Sequence, residues 1–201
     1  AAVWGHTADI PQTLEQARAF LAGKDLLDPA STGGNPSFFP IGHYLIAAAC
    51  LRAAQFTGLS FAFLIKVPAI LADLGVAWLL RTMPRGGDRL AFLYMVNPVT
   101  FLLSVYHGQL HTVAMAVTAL SCWLADRGHW GPSGVALGLA ASVRQHFAVL
   151  LLPLTVRPGA RRLAMVALFA VTVALLNGPL LASARPERLA AEDPVRHRPD
   201  R

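Results

Sequence analysis

Residues 61–80 read FAFLIKVPAILADLGVAWLL, an apolar stretch with only two charged side chains. A helix needs about 20 apolar residues to cross the hydrocarbon core of a bilayer, and this stretch has that length. Lys66 and Asp73 are seven residues apart, so they lie on one face of such a helix. We interpret them as a structural polar pair, with a catalytic role as the alternative. Pro68 between them predicts a kink.

The same apolar character runs through most of the chain. It has 201 residues, of which 55% are hydrophobic and 14% charged, where a soluble domain usually has about 25% charged residues. We predict an all-α fold, a polytopic transmembrane helix bundle with about six apolar segments, some broken or re-entrant. The segments cover residues 38–56, 60–81, 90–106, 110–125, 133–156 and 162–184.

Composition divides the chain into three parts. Residues 1–37 are polar and are predicted to form an extracytoplasmic loop, and residues 38–184 form the transmembrane helical domain. Residues 185–201 are charged and Pro-rich, which predicts a disordered tail. Because the chain opens in a polar loop with no signal-peptide pattern, we expect it to be a fragment, the N-terminal half of a longer protein.

The polar N-terminal part contains one predicted helix, which precedes the bundle and is amphipathic. We expect it to lie at the membrane surface and to end at Gly23. Its apolar residues recur at helical spacing, at Ile10, Leu14, Ala17 and Leu21.

The net charge of +6 comes mostly from arginines in loops and tail. The basic loops at 81–89 and 157–162 are predicted to be cytoplasmic, near anionic membrane lipid. No aromatic-studded basic surface accompanies the charge, so nucleic acid is not an expected partner. Cys50 and Cys122 lie inside apolar segments and do not form a disulfide framework.

A polar group interrupts the apolar sequence SVYHGQLHTVAMAV, residues 104–117. His107 and His111 have the one-turn spacing that lets two side chains on a helix face the same point. Zinc proteases use such a pair, but they need a Glu beside the first His, where this chain has Gly108. We therefore reject a protease. Gly108 also leaves the backbone open to close approach.

Two other interpretations of these histidines stay open. Paired His in lipid can ligate haem, and His43 and His146 are available for that. The simpler interpretation is interhelical hydrogen bonding by His and Gln, worth under about 1 kcal/mol per contact on average.

Arg144 lies near the middle of an apolar segment. A guanidinium there costs at least about 2.5 kcal/mol, so it needs an acid, water or an anionic ligand. Its planar fork suits a phosphate. A structural ion pair with Asp73 is the alternative.

The order of several short motifs resembles the membrane-embedded glycosyltransferases of the C superfamily. The resemblance covers residues 8–156 and is strongest to bacterial polytopic mannosyl- or hexosyltransferase-like proteins, which use polyprenyl-phosphate-linked sugars. It is more distant to dolichyl-phosphate-glucose-dependent glucosyltransferases. The motifs read ADIPQTLEQARAFLAGKDLLDP, FFPIGHYL, LIKVPAILADLGVAWLL, MVNPVTFLLSVYHGQLH and GVALGLAASVRQHFAVLLLPL.

The resemblance implies roles for individual residues. Asp9 matches the loop carboxylate of that superfamily, the catalytic general base. Arg144 stands where relatives usually have Lys, and His111 where they commonly have Asp or Asn. A single acid at Asp9, without a paired Asp-x-Asp, points to a metal-independent member. The expected substrate-binding residues are His107, Gln109, His111, Arg144 and His146.

These observations predict a hexosyltransferase whose co-substrate is a polyprenyl-phosphate sugar donor, with no other cofactor. The acceptor is lipid-linked or part of the cell envelope. A transporter or flippase for a polar or anionic lipid is the alternative, and a structural membrane subunit is a third possibility.

Topology adds one condition. Asp9 and the HGQLH motif must meet on one face, so at least one apolar segment must be broken or re-entrant. We expect an integral, multi-pass protein of the bacterial plasma membrane, with its active site on the outer face.

Overall fold

The computed structural model describes residues 9–26, 39–83, 86–155 and 159–183, and within these ranges the fold is helical, without a strand. The expected all-α class is therefore confirmed for the described part. The helices are α1 Asp9–Leu21, α2 Ile41–Thr57, α3 Phe61–Leu64, α4 Lys66–Thr82, α5 Asp88–Met95, α6 Pro98–Phe101, α7 His111–Asp126, α8 Trp130–Val143, α9 Leu151–Thr155 and α10 Ala160–Ser183, with a π-helical turn at Leu102–Tyr106 and a 3₁₀ helix at Gln145–Leu150.

Among the described residues, two helices are long and apolar enough to cross a membrane: Phe61–Thr82, which joins α3 and α4, and Arg161–Leu181 within α10. A third exists if Asp88–Met95 and Pro98–Tyr106, bent by 50°, count as one span. Helices α2, α7 and α8 have 17, 16 and 14 residues, fewer than the roughly 20 that cross a bilayer. The fold is that of a helical membrane protein, and six crossings stay a prediction.

The third predicted apolar segment, 90–106, is broken at Asn97-Pro98. Asn97 has an extended backbone, as a residue before proline prefers, and its side chain accepts a hydrogen bond from the Val99 amide at 2.9 Å. Helix α5 thus ends shortly before Asn97, and the Asn97 side chain caps α6. The third apolar segment bends between them.

The kink predicted at Pro68 corresponds to an interruption of the helix three residues earlier in the chain. The helix is interrupted at Ile65, between α3 and α4, although the two still count as one 22-residue span. Pro68 has no amide hydrogen to donate to the Leu64 carbonyl. The Cys50 thiol donates to that carbonyl instead, at 3.5 Å, which ties α2 to the interruption.

Helix α1 forms where the amphipathic pattern predicts it. It ends at Leu21, two residues before the expected Gly23, whose positive φ of 65° lets the Lys24 amide donate to the Ala19 carbonyl at 3.0 Å. Its apolar face packs into a core with α2, α3 and α7, through Ile10 and Ala17. Helix α1 is therefore part of the helical body. Its position at a membrane surface stays a prediction.

Helices α7, α8 and α10 pack closely through small residues. A Cβ on Gly134 would overlap the Met165 carbonyl, and one on Gly138 would lie 2.7 Å from Thr172 Cβ. Buried hydroxyls join α7 and α8, where Ser121 and Ser133 bond to each other at 2.9 Å. This close packing holds α8 in place, and the end of α8 leads directly into the site.

The fifth predicted apolar segment, 133–156, is interrupted in its middle. Helix α8 ends at Val143, Arg144 is extended with φ −145° and ψ 108°, and a 3₁₀ helix follows. This segment is thus one of the broken segments that the sequence predicts. The predicted tail, residues 185–201, lies outside the described residues, as do residues 1–8 and 27–37 of the predicted N-terminal loop.

Candidate active site

A cavity of about 330 Å³ lies between α1, the start of α2, the HGQLH motif and the interruption at Arg144. This volume is within the range of small-molecule sites, roughly 300–1,000 Å³. The structure brings together at this cavity every residue predicted to be catalytic or substrate-binding. They are Asp9, His107, Gln109, His111, Arg144 and His146.

The mouth of the cavity is built around a carboxylate. Gln109 Nε2 donates to Asp9 Oδ2 at 3.1 Å, and His107 Nδ1 lies 3.9 Å from the same oxygen. The Asp9 side chain is 51% exposed, so a substrate hydroxyl can reach it. Asp9 is the first residue of α1, where the positive end of the helix dipole stabilises a negative charge. The expected approach of Asp9 to the HGQLH motif is present.

The HGQLH motif is a sharp turn between two helical directions. The π-helical turn before it ends with the His107 amide donating to the Leu102 carbonyl at 3.0 Å. Gly108 then takes a positive φ of 64°, a conformation that other residues rarely adopt. A Cβ there would lie 3.1 Å from Lys66 Cγ. Gly108 lines the cavity, and the turn itself requires its positive φ.

His107 and His111 do not share one helical face, because His107 lies in the turn before α7. His107 faces Asp9, while the His111 ring stacks on His146 with 5.4 Å between centroids and 30° between planes. The expectation that the two rings face one point by helical spacing is therefore wrong. In the described ranges, no group of three or more His, Cys, Asp or Glu residues is placed to hold a metal ion.

Arg144 is 8% exposed and lines the cavity. Its guanidinium carbon lies 4.1 Å from the centroid of the Phe39 ring, and its Nε has no hydrogen-bond partner. A cation over an aromatic face is favourable, but the ring leaves the in-plane N–H donors of the guanidinium available. These donors can bind an anion in the cavity.

The alternative structural pair of Arg144 with Asp73 is not present among the ion pairs of the described residues. Asp73 accepts a hydrogen bond from the Tyr94 hydroxyl at 2.6 Å, which links α4 to α5. The side chain of Lys66, the predicted structural partner of Asp73, lies against the Gly108 turn.

Two further cavity residues, Gln16 and His43, were not among the predicted catalytic or substrate-binding residues, and His43 was considered only as a haem ligand. Gln16 is 0% exposed and His43 is 2% exposed, and Gln16 Oε1 lies 3.3 Å from His43 Nε2. Gln16 continues a polar stripe along one face of α1, at the spacing of Asp9, Gln12 and Thr13, all of which line the cavity. That stripe is visible in the sequence, but an amphipathic helix usually turns such a face toward water.

The sequence profile described as Glycosyltransferase family 87 matches residues 38–190, more than half of the chain. The match includes the HGQLH motif, Arg144 and His146, whereas Asp9 and the rest of α1 precede it. No curated protein and no solved structure matches the chain. The chain, a helical membrane protein with a polar cavity at the HGQLH turn, therefore belongs to glycosyltransferase family 87 and is a transferase.

Proposed function

We propose that this protein transfers a mannose-like hexose from a polyprenyl-phosphate sugar to a lipid-linked or cell-envelope acceptor. The reaction takes place on the outer face of a bacterial plasma membrane, in a multi-pass protein, with the lipid-phosphate sugar as co-substrate and no other cofactor. Membership of a glycosyltransferase family supports the transfer. The identity of sugar, carrier and acceptor rests on the resemblance and on the chemistry of the cavity.

The observation that carries the proposal is the half-exposed Asp9 carboxylate facing a cavity that also contains the buried Arg144 guanidinium. A glycosyl transfer needs a base for the acceptor and a positive group for the departing phosphate. The cavity provides one of each, at different elements, so the two charges need not neutralise each other by direct contact.

Asp9 acts on the acceptor. Its Oδ takes the proton of the acceptor hydroxyl as that oxygen forms a bond to the anomeric carbon of the donor sugar. Gln109 donates to Oδ2 at 3.1 Å and so orients the carboxylate. The Asp9 side chain is half exposed, so the carboxylate remains accessible to the acceptor hydroxyl.

Arg144 acts on the donor. The bond from the anomeric carbon to the phosphate oxygen breaks, and its electron pair leaves with the polyprenyl phosphate. The guanidinium binds that phosphate oxygen by charge-assisted hydrogen bonds. His111 and His146, which stack beside it, give the same end of the cavity further N–H groups.

The test is a transfer assay with a panel of polyprenyl-phosphate sugars, using protein in lipid nanodiscs. Asp9→Asn keeps the shape of the side chain and removes the base, so turnover falls by about 10²–10⁴-fold. Donor affinity stays within about threefold, because the carboxylate touches the acceptor and not the phosphate. Glu15→Gln on the same helix is the matched control, since Glu15 pairs with Arg18 at the surface. It retains full turnover.

Two results contradict the proposal. One is Asp9→Asn protein that still transfers sugar at the wild-type rate. The other is movement of a labelled lipid across vesicles without formation of a glycosidic bond, which supports a transporter.

A further inference from the structure

The closed end of the cavity contains a buried polar pair that the proposed chemistry does not use. Gln16 and His43 both line the cavity and are almost completely buried. They contact each other at 3.3 Å between Gln16 Oε1 and His43 Nε2. Gln16 lies two helical turns after Asp9 on α1, about 10 Å along the axis. The pair is therefore separate from the carboxylate at the mouth.

Each member of this pair has one polar atom left without a partner, Gln16 Nε2 and His43 Nδ1. Buried polar groups in folded proteins are almost always hydrogen-bonded, and exceptions call for an explanation. The described protein atoms around the pair do not supply those bonds. Both atoms belong to residues that line the cavity.

The chemistry of the missing partner follows from the pair itself. If His43 Nε2–H donates to Gln16 Oε1, the neutral ring keeps an acceptor at Nδ1, and the amide keeps its N–H donors. If the Gln16 amide is turned over, the ring keeps a donor and the amide keeps an acceptor. In both arrangements the pair offers one donor and one acceptor.

That combination favours a hydroxyl group over a phosphate. An ionised phosphate only accepts hydrogen bonds, and it would leave the free acceptor of the pair unsatisfied. A hydroxyl donates one bond and accepts another. A buried imidazole near a guanidinium favours its neutral form, and the His43 and Arg144 side chains both contact the Phe39 ring. The pair therefore keeps its mixed donor and acceptor character.

We propose that Gln16 and His43 form a hydroxyl-binding subsite that recognises one hydroxyl of the hexose ring and so selects the sugar. This inference rests on the proposed function, because it assumes that a sugar occupies the cavity. Arg144 binds the phosphate of the donor, whereas Gln16 and His43 bind the hexose ring. The subsite determines which hexose is accepted and takes no part in bond breaking.

The experiment measures binding rather than turnover. Asp9→Asn protein in nanodiscs is titrated with a short-chain polyprenyl-phosphate mannose and with its monodeoxy analogues, each lacking one ring hydroxyl. We expect one analogue to bind about tenfold more weakly than the parent, since a buried pair is left unsatisfied. Adding Gln16→Met, which has a similar shape without polar atoms, removes that difference.

A matched control is Gln55→Met, the same substitution at an exposed position on α2 that does not line the cavity. It leaves the discrimination intact. If Gln16→Met does not fold, the analogue series with Gln16 in place remains informative, because equal binding of all analogues would still overturn the subsite.

The outcomes separate the two proposals. Equal binding of the parent and all analogues overturns the subsite and leaves the proposed function standing, with water satisfying the pair. Unchanged discrimination in Gln16→Met also overturns the subsite. If the protein binds none of the glycosylated lipids, the proposed function fails as well.

Discussion

Polar side chains are buried in two regions of this protein, and they are treated in opposite ways. Between α7, α8 and α10 they are paired: Ser121 with Ser133, and Asn177 Nδ2 with Ser142 Oγ at 2.9 Å. At the cavity Gln16 and His43 contact each other, but several individual polar atoms have no partner. Five buried nitrogen atoms of cavity residues lack a hydrogen-bond partner: Gln16 Nε2, His43 Nδ1, His107 Nδ1, His111 Nδ1 and Arg144 Nε.

The contrast separates polar groups that stabilise the fold from those that, under the proposed function, bind the substrate. A paired group between helices adds specificity to packing. An unpaired buried group weakens the fold unless something binds it. Substitutions between α8 and α10 should therefore change stability, and substitutions at the cavity should change binding.

The largest effect on stability is expected at Gly134. Its Cβ would overlap the Met165 carbonyl, a backbone atom that cannot turn aside, so Gly134→Ala forces α8 and α10 apart. We expect the free energy of unfolding to fall by about 3 kcal/mol. A thermal melt in nanodiscs measures it, and donor binding at low temperature should be unchanged.

Gly131 provides the control for this substitution. A Cβ at Gly131 would meet only the Leu168 Cδ1 methyl at 3.2 Å, which a side chain can relieve. Gly131→Ala should therefore be close to neutral. Similar destabilisation by both alanines would mean that α8 and α10 are not packed as closely as described.

A smaller change, confined to binding, is expected at Arg144. Arg144→Gln removes the charge and should weaken binding of the donor by about 10–100-fold, the value of a charge-assisted hydrogen bond. Arg144→Lys keeps a point charge and should retain part of the affinity. Equilibrium titration with the polyprenyl-phosphate sugar measures both.

The melting temperature of the Arg144 variants tests whether Arg144 belongs with the cavity residues or with the structural polar groups. Loss of the contact with Phe39 lowers it only slightly. If Arg144→Gln bound the donor as wild type does but unfolded much more easily, Arg144 would belong with the structural polar groups.

The smallest effect is expected at Asn177, whose Oδ1 accepts from the Ile41 amide at 3.0 Å. Asn177→Leu leaves that amide and Ser142 without this partner, which should lower stability by about 1 kcal/mol. Donor affinity should not change. A loss of affinity without a loss of stability would place Asn177 in the site and weaken the division between the regions.

Local features of the fold could be predicted from the sequence. The helix over α1 and the break at Asn97-Pro98 depend on nearby residues alone, and both are present. The interruption at Ile65 follows from the amide hydrogen that Pro68 lacks, so it lies on the N-terminal side of the proline. The Cys50 thiol donates to the freed Leu64 carbonyl from another helix, and this contact is not visible in the sequence.

The candidate site was predictable in its residues but not in its arrangement. Hydrophobic periodicity identifies the buried apolar face of α1, through Ile10 and Ala17. It does not reveal that the polar face also turns inward, so Gln16 was missed. Helical spacing also paired His107 with His111, because the turn at Gly108 depends on a positive φ that the sequence only permits.

The central claim is that Asp9 and the HGQLH turn work as one site, and a double-mutant cycle of Asp9→Asn and Gln109→Leu in the transfer assay tests it most directly. Gln109→Leu alone removes the bond that orients Asp9, so turnover should fall by about tenfold. Groups that act as a unit are strongly non-additive. The account predicts that the double variant is no slower than Asp9→Asn alone. Losses that multiply would show that the two residues act independently and would contradict it.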